Sequence, residues 1–495
     1  MSRFRVRVGL LACAAAAGVC ACTAGDRAAP TSLAWSACGD VADVRVSGLP
    51  TSRLDRIEAS CATLEVPLDA ADSEAGTVRL QLVRVHQAGE VRTPLLLIAG
   101  GPGQSGVELA TYAPAMLPES LLDRFDLVGF DPRGVGRSDP ITCPSGADVP
   151  AGFPDFATDE GFARGAEVMR SFADRCRSAL GRTASLYSTV ATAADIEAIR
   201  QALGVEQLSY IGWSYGAKLG AEYARQHGDR VRAAVLDAPT DPTIPWWTTV
   251  EKQTAGFEAS FDRFAAWCAA RTSCASVGDA RVLAASVIAQ AERAPIASGR
   301  PGDAEPTSGL QVVSAIASAL YDETRWSDLA AGLLEAANGD SGTLRDLEDA
   351  SRGDDEHAGD AQFVINCNDS GDQPTLDRIR AAGASLVQRY PMFGRWSAWQ
   401  LFGCAFWDVA RHPLQPPVVA SATPILVVGT RHDPATPYSG AVSMATSLGR
   451  ARLLTWEGGG HTAVGRSACI TALVETYLDS LVLPDEASST CPADG

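Results

Sequence analysis

Leu208-Ser209-Tyr210-Ile211-Gly212-Trp213-Ser214-Tyr215-Gly216-Ala217-Lys218-Leu219-Gly220 sets a short apolar run against a helical pattern, with one serine at the joint. Residues 208–212 have the composition of a buried strand, and 215–227 continue as a helix. Gly212 and Gly216 flank Ser214 because a serine on a sharp strand-to-helix turn leaves no room for larger neighbours. Gly-x-Ser-x-Gly arises often by chance, so the strand before it and the helix after it carry the inference. A turn of this kind presents a hydroxyl beyond the end of a sheet, where a nucleophile would stand.

Outward from this joint the chain alternates between the two periods. Leu64-Glu65-Val66-Pro67, the alternating stretch 78–85, and the apolar runs 95–98 and 125–130 read as strands; 192–204 reads as a helix ending on Gly204. Further strands are expected at 233–237, 424–429 and 452–455, and a closing helix at 468–481. The early alternation and later continuous runs predict a sheet that begins antiparallel and becomes parallel. Between 242 and 400 the strand rhythm stops, and helices are expected at 251–271, 280–293, 308–321, 327–338 and 375–389. The expected division is a leader (1–21), a tether and N-terminal segment (22–60), a first core part (61–241), a helical cap (242–400) and a second core part (401–495).

A serine hydroxyl needs a base, and the base needs an orienting carboxylate. Of the six histidines, His86, His227, His357 and His412 read as surface residues, and His432 is expected to point away from its neighbour Asp433. His461 follows Gly458-Gly459-Gly460 just after the last expected strand, where the glycines let a loop carry the ring back over the sheet. Asp433 follows the 424–429 strand. Ser214, Asp433 and His461 thus occur in order, each at a strand end, as one sheet architecture requires of such a set. Gly100-Gly101-Pro102-Gly103 follows the 95–98 strand. The N–H of Gly103 or of Gln104, with that of Tyr215, is the candidate pair of donors to a developing oxyanion.

At these residues the chain resembles the secreted tripeptidyl aminopeptidase-like peptidases, relatives of prolyl aminopeptidase among α/β-hydrolases. The resemblance rests on Gly100-Gly101-Pro102-Gly103-Gln104-Ser105-Gly106, Asp131-Pro132-Arg133-Gly134-Val135-Gly136-Arg137-Ser138, the Ser214 elbow, Val235-Leu236-Asp237 with Asp241-Pro242, and the Asp433 and His461 loops. It covers residues 60 to 490. It implies an α/β fold, an α/β-hydrolase sheet with an inserted helical cap domain, and a serine exopeptidase that shortens oligopeptides from the N-terminus without metal or cofactor. Gly228-Asp229-Arg230 and Trp407-Asp408 depart from the family's pattern, which leaves substrate preference open. An envelope esterase or lipase with the same three residues, and a non-catalytic peptide-binding lipoprotein, are the competing readings.

Recognition of a free ammonium calls for a carboxylate near the serine, and Asp369, in Asn366-Cys367-Asn368-Asp369, is the candidate for substrate binding. A solvated loop acid is the plainer alternative. Trp407, with Trp246, Trp247 and Trp399, is a candidate for an apolar substrate wall or simply for packing.

The net charge of −18 argues against a nucleic-acid partner, since phosphate binding needs clustered cations. The expected partner is a peptide substrate, and the expected state is a monomer. Arg3, Arg5 and Arg7 before the apolar run 8–21 have the layout of an export signal, too short for a permanent span. Val19-Cys20-Ala21-Cys22 resembles a lipobox, so the mature chain is expected to be either anchored through lipidated Cys22 or freely secreted. The ten cysteines after Cys22 form an even set without tight metal-binding spacing. Five disulfides between sequence neighbours are expected, because each then closes a short loop.

Overall fold

The structure, a computed structural model, describes residues 32–39, 55–89, 91–144, 158–241, 243–300, 305–352, 357–419 and 423–493. The leader, Cys22 and residues 23–31 and 40–54 of the expected N-terminal segment lie outside them.

The continuous apolar runs become strands covered on both faces. In β4 (Thr93–Ile98), Leu96 and Ile98 join one core cluster and Leu95 and Leu97 the other. β7 (Val231–Asp237) repeats this, with Ala234 and Leu236 on one face and Ala233 and Val235 on the other. Such two-sided burial is what helices packed on both sides of a parallel sheet impose. Helices Thr189–Ala202, Tyr215–His227 and Ser439–Leu448 supply one layer, and Gly106–Met116 and Ala468–Ser480 the other.

With β1 (Ser36–Ala37), β2 (Ile57–Pro67), β3 (Thr77–Gln87), β5 (Phe125–Phe130), β6 (Leu208–Trp213), β8 (Ile425–His432), β9 (Ala451–Gly459) and β10 (Thr490–Cys491), the described strands form one sheet in the order β1-β2-β3-β5-β4-β6-β7-β8-β9-β10. β1 to β3 run antiparallel, and β5 onward across the sheet is parallel. Neither the short outer pair β1 and β10 nor the full length of β9, which continues through Gly459, is legible in the local pattern. Both short strands borrow order from their neighbours: Ser36 pairs with Cys61, and Thr490 with Thr455.

Between β7 and β8 the chain is helical. The five expected helices lie at Trp246–Ala269, Ala280–Arg293, Gly309–Leu320, Trp326–Ala337 and Leu376–Arg389. Three more, Gly342–Arg352, Ala358–Asp369 and Gly394–Gln400, stand where glycines and aspartates mask the pattern. Packing rather than propensity stabilises such helices. The segment has its own core around Phe261, Phe264, Ile316, Leu329 and Leu333. A further helix, Asp159–Leu180, packs Phe162 and Ala166 against Val250, Ile379, Leu401 and Phe402. Part of the 61–241 stretch therefore joins the helical layer instead of the sheet.

Five disulfides join Cys38–Cys61, Cys143–Cys176, Cys268–Cys274, Cys367–Cys404 and Cys469–Cys491, the neighbour pairing expected. They fit an extracytoplasmic protein. No helix among the described residues is long and apolar enough to cross a membrane. His86 corrects its reading as a surface residue: it is buried on β3, with ring Nδ1 3.1 Å from the carbonyl oxygen of Gln87.

Candidate active site

Ser214 directly follows β6 and caps helix Tyr215–His227 with φ 56° and ψ −117°, a conformation costly for a residue with a side chain. The neighbours show why the turn needs its glycines. A Cβ on Gly212 would stand 2.2 Å from the carbonyl oxygen of Gly216, and one on Gly216 would stand 2.1 Å from that of Ile98. The elbow thus presses against the end of β4. The strand register puts Trp213 opposite Asp237, and Asp237 opposite Val428. Three consecutive strand ends therefore deliver their loops to one edge of the sheet, where open α/β sheets place their sites.

Asp433 follows β8, and its carboxylate is held from several sides. Oδ1 accepts the N–H groups of Ala435 (2.9 Å) and Thr436 (2.8 Å), while Oδ2 accepts the Thr436 hydroxyl (3.1 Å) and the Thr462 N–H (3.3 Å). Nδ1 of His461 lies 3.0 and 2.9 Å from Oδ1 and Oδ2. The acid is 4% exposed and faces the ring, so one imidazole nitrogen is committed to it and Nε2 is left for chemistry. Thr436 Oγ1, 3.3 Å from the same Nδ1, completes the cluster. Thr436 was not singled out from the sequence, where it is one residue of an ordinary Asp-Pro turn.

The loop at 100–104 abuts the elbow. A Cβ on Gly100 would come within 3.3 Å of Ser214 Cβ, and one on Gly101 would stand 2.7 and 3.0 Å from the main-chain nitrogens of Gly103 and Gln104. Gly100 thus touches the elbow, with Gly103 and Gln104 further along the same tight loop, and Tyr215, as first residue of its helix, has an N–H with no intrahelical acceptor. Asp131 anchors this loop from beneath: Oδ1 accepts the Ser105 hydroxyl (2.5 Å) and the Val107 N–H (3.1 Å), and Oδ2 the Arg137 N–H (2.8 Å). Burial pushes its carboxyl pKa up, and these hydrogen bonds pull against that rise. Arg133 of the same motif makes a buried bidentate pair with Asp195 at 2.7 and 2.6 Å.

A cavity of about 1170 Å³ opens over Ser214, lined from the sheet side by Pro102 and Tyr215 and from the helices by Trp246, Trp396 and Trp399. One expectation for its wall requires correction. Trp407 is fully buried, 0% exposed, with its indole N–H donating to Asn368 Oδ1 at 2.8 Å, so it packs the core and does not line the cavity. Asp369 does reach the cavity wall, but its carboxylate is already engaged. Oδ1 accepts the Thr189 N–H (2.9 Å), Oδ2 accepts the Thr189 hydroxyl (2.5 Å), and Lys218 Nζ lies 3.2 Å from Oδ2. An internal cation therefore holds the place expected for a substrate ammonium. The Thr189 hydroxyl is also 2.8 Å from Tyr215 OH, whose pKa is raised by burial and by the charge of Asp369.

A buried acid–imidazole pair and a serine on a strained elbow, delivered to one edge of the sheet, are the parts from which a serine hydrolase of the acyl-transfer type is built. A profile described as alpha/beta hydrolase fold matches residues 93–465. The chain belongs to that family. It is 35% identical over 446 residues to serine protease Hip1 of Mycobacterium tuberculosis, covering 85% of each chain. It is 34% identical to carboxylesterase B of the same species, covering 91% of this chain and 88% of the relative. Tripeptidyl aminopeptidase of Streptomyces coelicolor is 30% identical, over 84% of this chain and 80% of its own.

Proposed function

We propose that this chain is an exported serine exopeptidase that releases short N-terminal pieces from oligopeptides through an acyl-enzyme. Ser214 Oγ attacks the scissile carbonyl while His461 takes its proton and later delivers it to the leaving amine. Asp433 holds the ring and balances its charge. The N–H of Tyr215, with that of Gly103 or Gln104, binds the oxyanion. The helical segment acts as a cap over the reacting bond. Asp369, shared with Lys218, meets the substrate ammonium together with other acids of the cavity wall, such as Glu167, Asp241 and Asp372.

The observation that carries this reading is the Asp433–His461 pair beside a cavity large enough for several residues of peptide. The likeness to a serine protease and a tripeptidyl aminopeptidase favours peptides, and the likeness to a carboxylesterase favours the second reading, an esterase with the same machinery. Parallel assays on peptide 4-nitroanilides and 4-nitrophenyl acyl esters separate the two. Turnover of esters alone sinks the peptidase. The enzyme works as a monomer, either held at the envelope by lipidated Cys22 or released; partition of the full chain into detergent distinguishes these, and Cys22→Ala abolishes partition only in the first case.

A further inference from the structure

We propose that Asp237 is a positioning residue for His461, fixing the distance between the histidine loop and the nucleophile elbow. Asp237 ends β7, in register with Trp213 at the end of β6. Its carbonyl oxygen accepts the N–H of Ser214 at 2.8 Å. Its side chain holds a different segment. Oδ2 accepts the N–H groups of Ala463 (2.9 Å) and Val464 (2.8 Å), and Oδ1 lies 3.2 Å from the former. These amides stand two and three residues after His461, across Thr462 with φ 70°. One residue thus grips the nucleophile through its main chain and the base's loop through its carboxylate. Trp213 adds a second tie, its indole N–H donating to the Val464 carbonyl at 3.4 Å.

Asp237 is not the acid that orients the ring, because Nδ1 of His461 faces Asp433. It is fully buried, and so are Ala463 and Val464. No water competes for the two N–H groups, and the geometry they enforce is rigid. The titratable groups that act on it are His461 and Asp433. The inference rests on the triad reading above and deepens it: a shift of the imidazole by an ångström from the serine costs turnover without altering substrate contacts.

The test uses the full chain with Asp237→Asn, Asp237→Ala and Ser214→Ala. Asparagine keeps an oxygen for the two N–H groups, and alanine keeps nothing. Active-site titration with a fluorophosphonate normalises the rates of the parent and the Asp237 variants to folded enzyme, and protein concentration beside a thermal melt does so for Ser214→Ala. For Asp237→Ala the expected result is a kcat about 100-fold lower with KM within about twofold of the parent. Asp237→Asn recovers most of that loss. A folded alanine variant with parental kcat overturns the proposal. The parent protein supplies a readout that needs no variant: the Ala463 and Val464 amides exchange with solvent as slowly as those of β7, and exchange at loop rates overturns the proposal equally. Ser214→Ala separates the two levels, since activity surviving in it sinks the triad itself, whereas a dead Ser214→Ala beside fully active Asp237 variants sinks only this inference.

Discussion

The main-chain N–H of His461 donates to the carbonyl oxygen of Tyr321 at 2.8 Å. Tyr321 follows helix Gly309–Leu320 of the segment inserted between β7 and β8, so the helical layer touches His461 itself. The two rings meet edge to face at 5.1 Å. Arg466 reinforces the contact, donating to the carbonyls of Tyr321 (2.6 Å) and His461 (2.9 Å) and pairing with Asp322 at 2.9 Å. Whatever displaces the helical layer here pulls on the imidazole.

Removing that clamp should therefore affect rate more than stability. Arg466→Ala loses a partly exposed ion pair, worth at most about 1 kcal/mol, and two hydrogen bonds to main-chain carbonyls. The expected outcome is a kcat roughly 10-fold lower with Tm reduced by only a few degrees. Steady-state kinetics beside a thermal melt check it; a large fall in Tm with unchanged kcat per folded molecule contradicts it.

Thr436 gives a sharper test of the acid. Its hydroxyl donates to Asp433 Oδ2 and stands 3.3 Å from His461 Nδ1. Thr436→Val keeps the shape and removes the donor, leaving a buried carboxylate oxygen short of one hydrogen bond at a cost of about 1–3 kcal/mol. Turnover should fall by about 10-fold or more, while Thr436→Ser should stay near the parent. Equal loss in both variants would point to packing in place of the hydroxyl.

The Lys218–Asp369 pair is 15% and 4% exposed at its side chains, and breaking such a pair from one side strands a charge. Lys218→Met should destabilise by about 3 kcal/mol, and Lys218→Met with Asp369→Asn should recover part of that. Urea denaturation measures both. Kinetics then decide the recognition question: if Asp369→Asn raises KM for free peptides but not for their N-acetylated forms, the ammonium reaches Asp369 despite Lys218, and an unchanged KM for both assigns the ammonium elsewhere.

Burial raises the Asp237 carboxyl to about 7, against 3.8 for a free group. The fold disfavours its ionised form, so its contribution to stability is most favourable below about pH 4, declines as pH rises toward 7 and is level above. Urea unfolding of the parent and of Asp237→Asn between pH 4 and 8 should show the difference between them changing by up to about 4 kcal/mol in that window. A constant difference would show that the group keeps an ordinary pKa.

Local signals carried much of this protein. The apolar runs at 95–98, 125–130, 208–212 and 424–429 become the central strands because two-sided burial leaves its mark on consecutive residues. The glycines around Ser214 report a turn so tight that backbone meets backbone, and neighbouring cysteines close short loops. The pairing of Asp433 with His461 was legible too, since strand ends that converge at one sheet edge can be counted along the chain. What depends on residues far apart was not. Asp369 looked like a free acid because Lys218, 151 positions earlier, meets it only after the helical layer folds over the elbow. Trp407 looked like a pocket residue until Asn368 and the core closed around its indole. The grips of Tyr321 on His461 and of Asp237 on Ala463 and Val464 use main-chain groups, which every residue possesses and no side-chain pattern announces. Sequence determined which groups could react; tertiary packing decided which of them were already spent on one another.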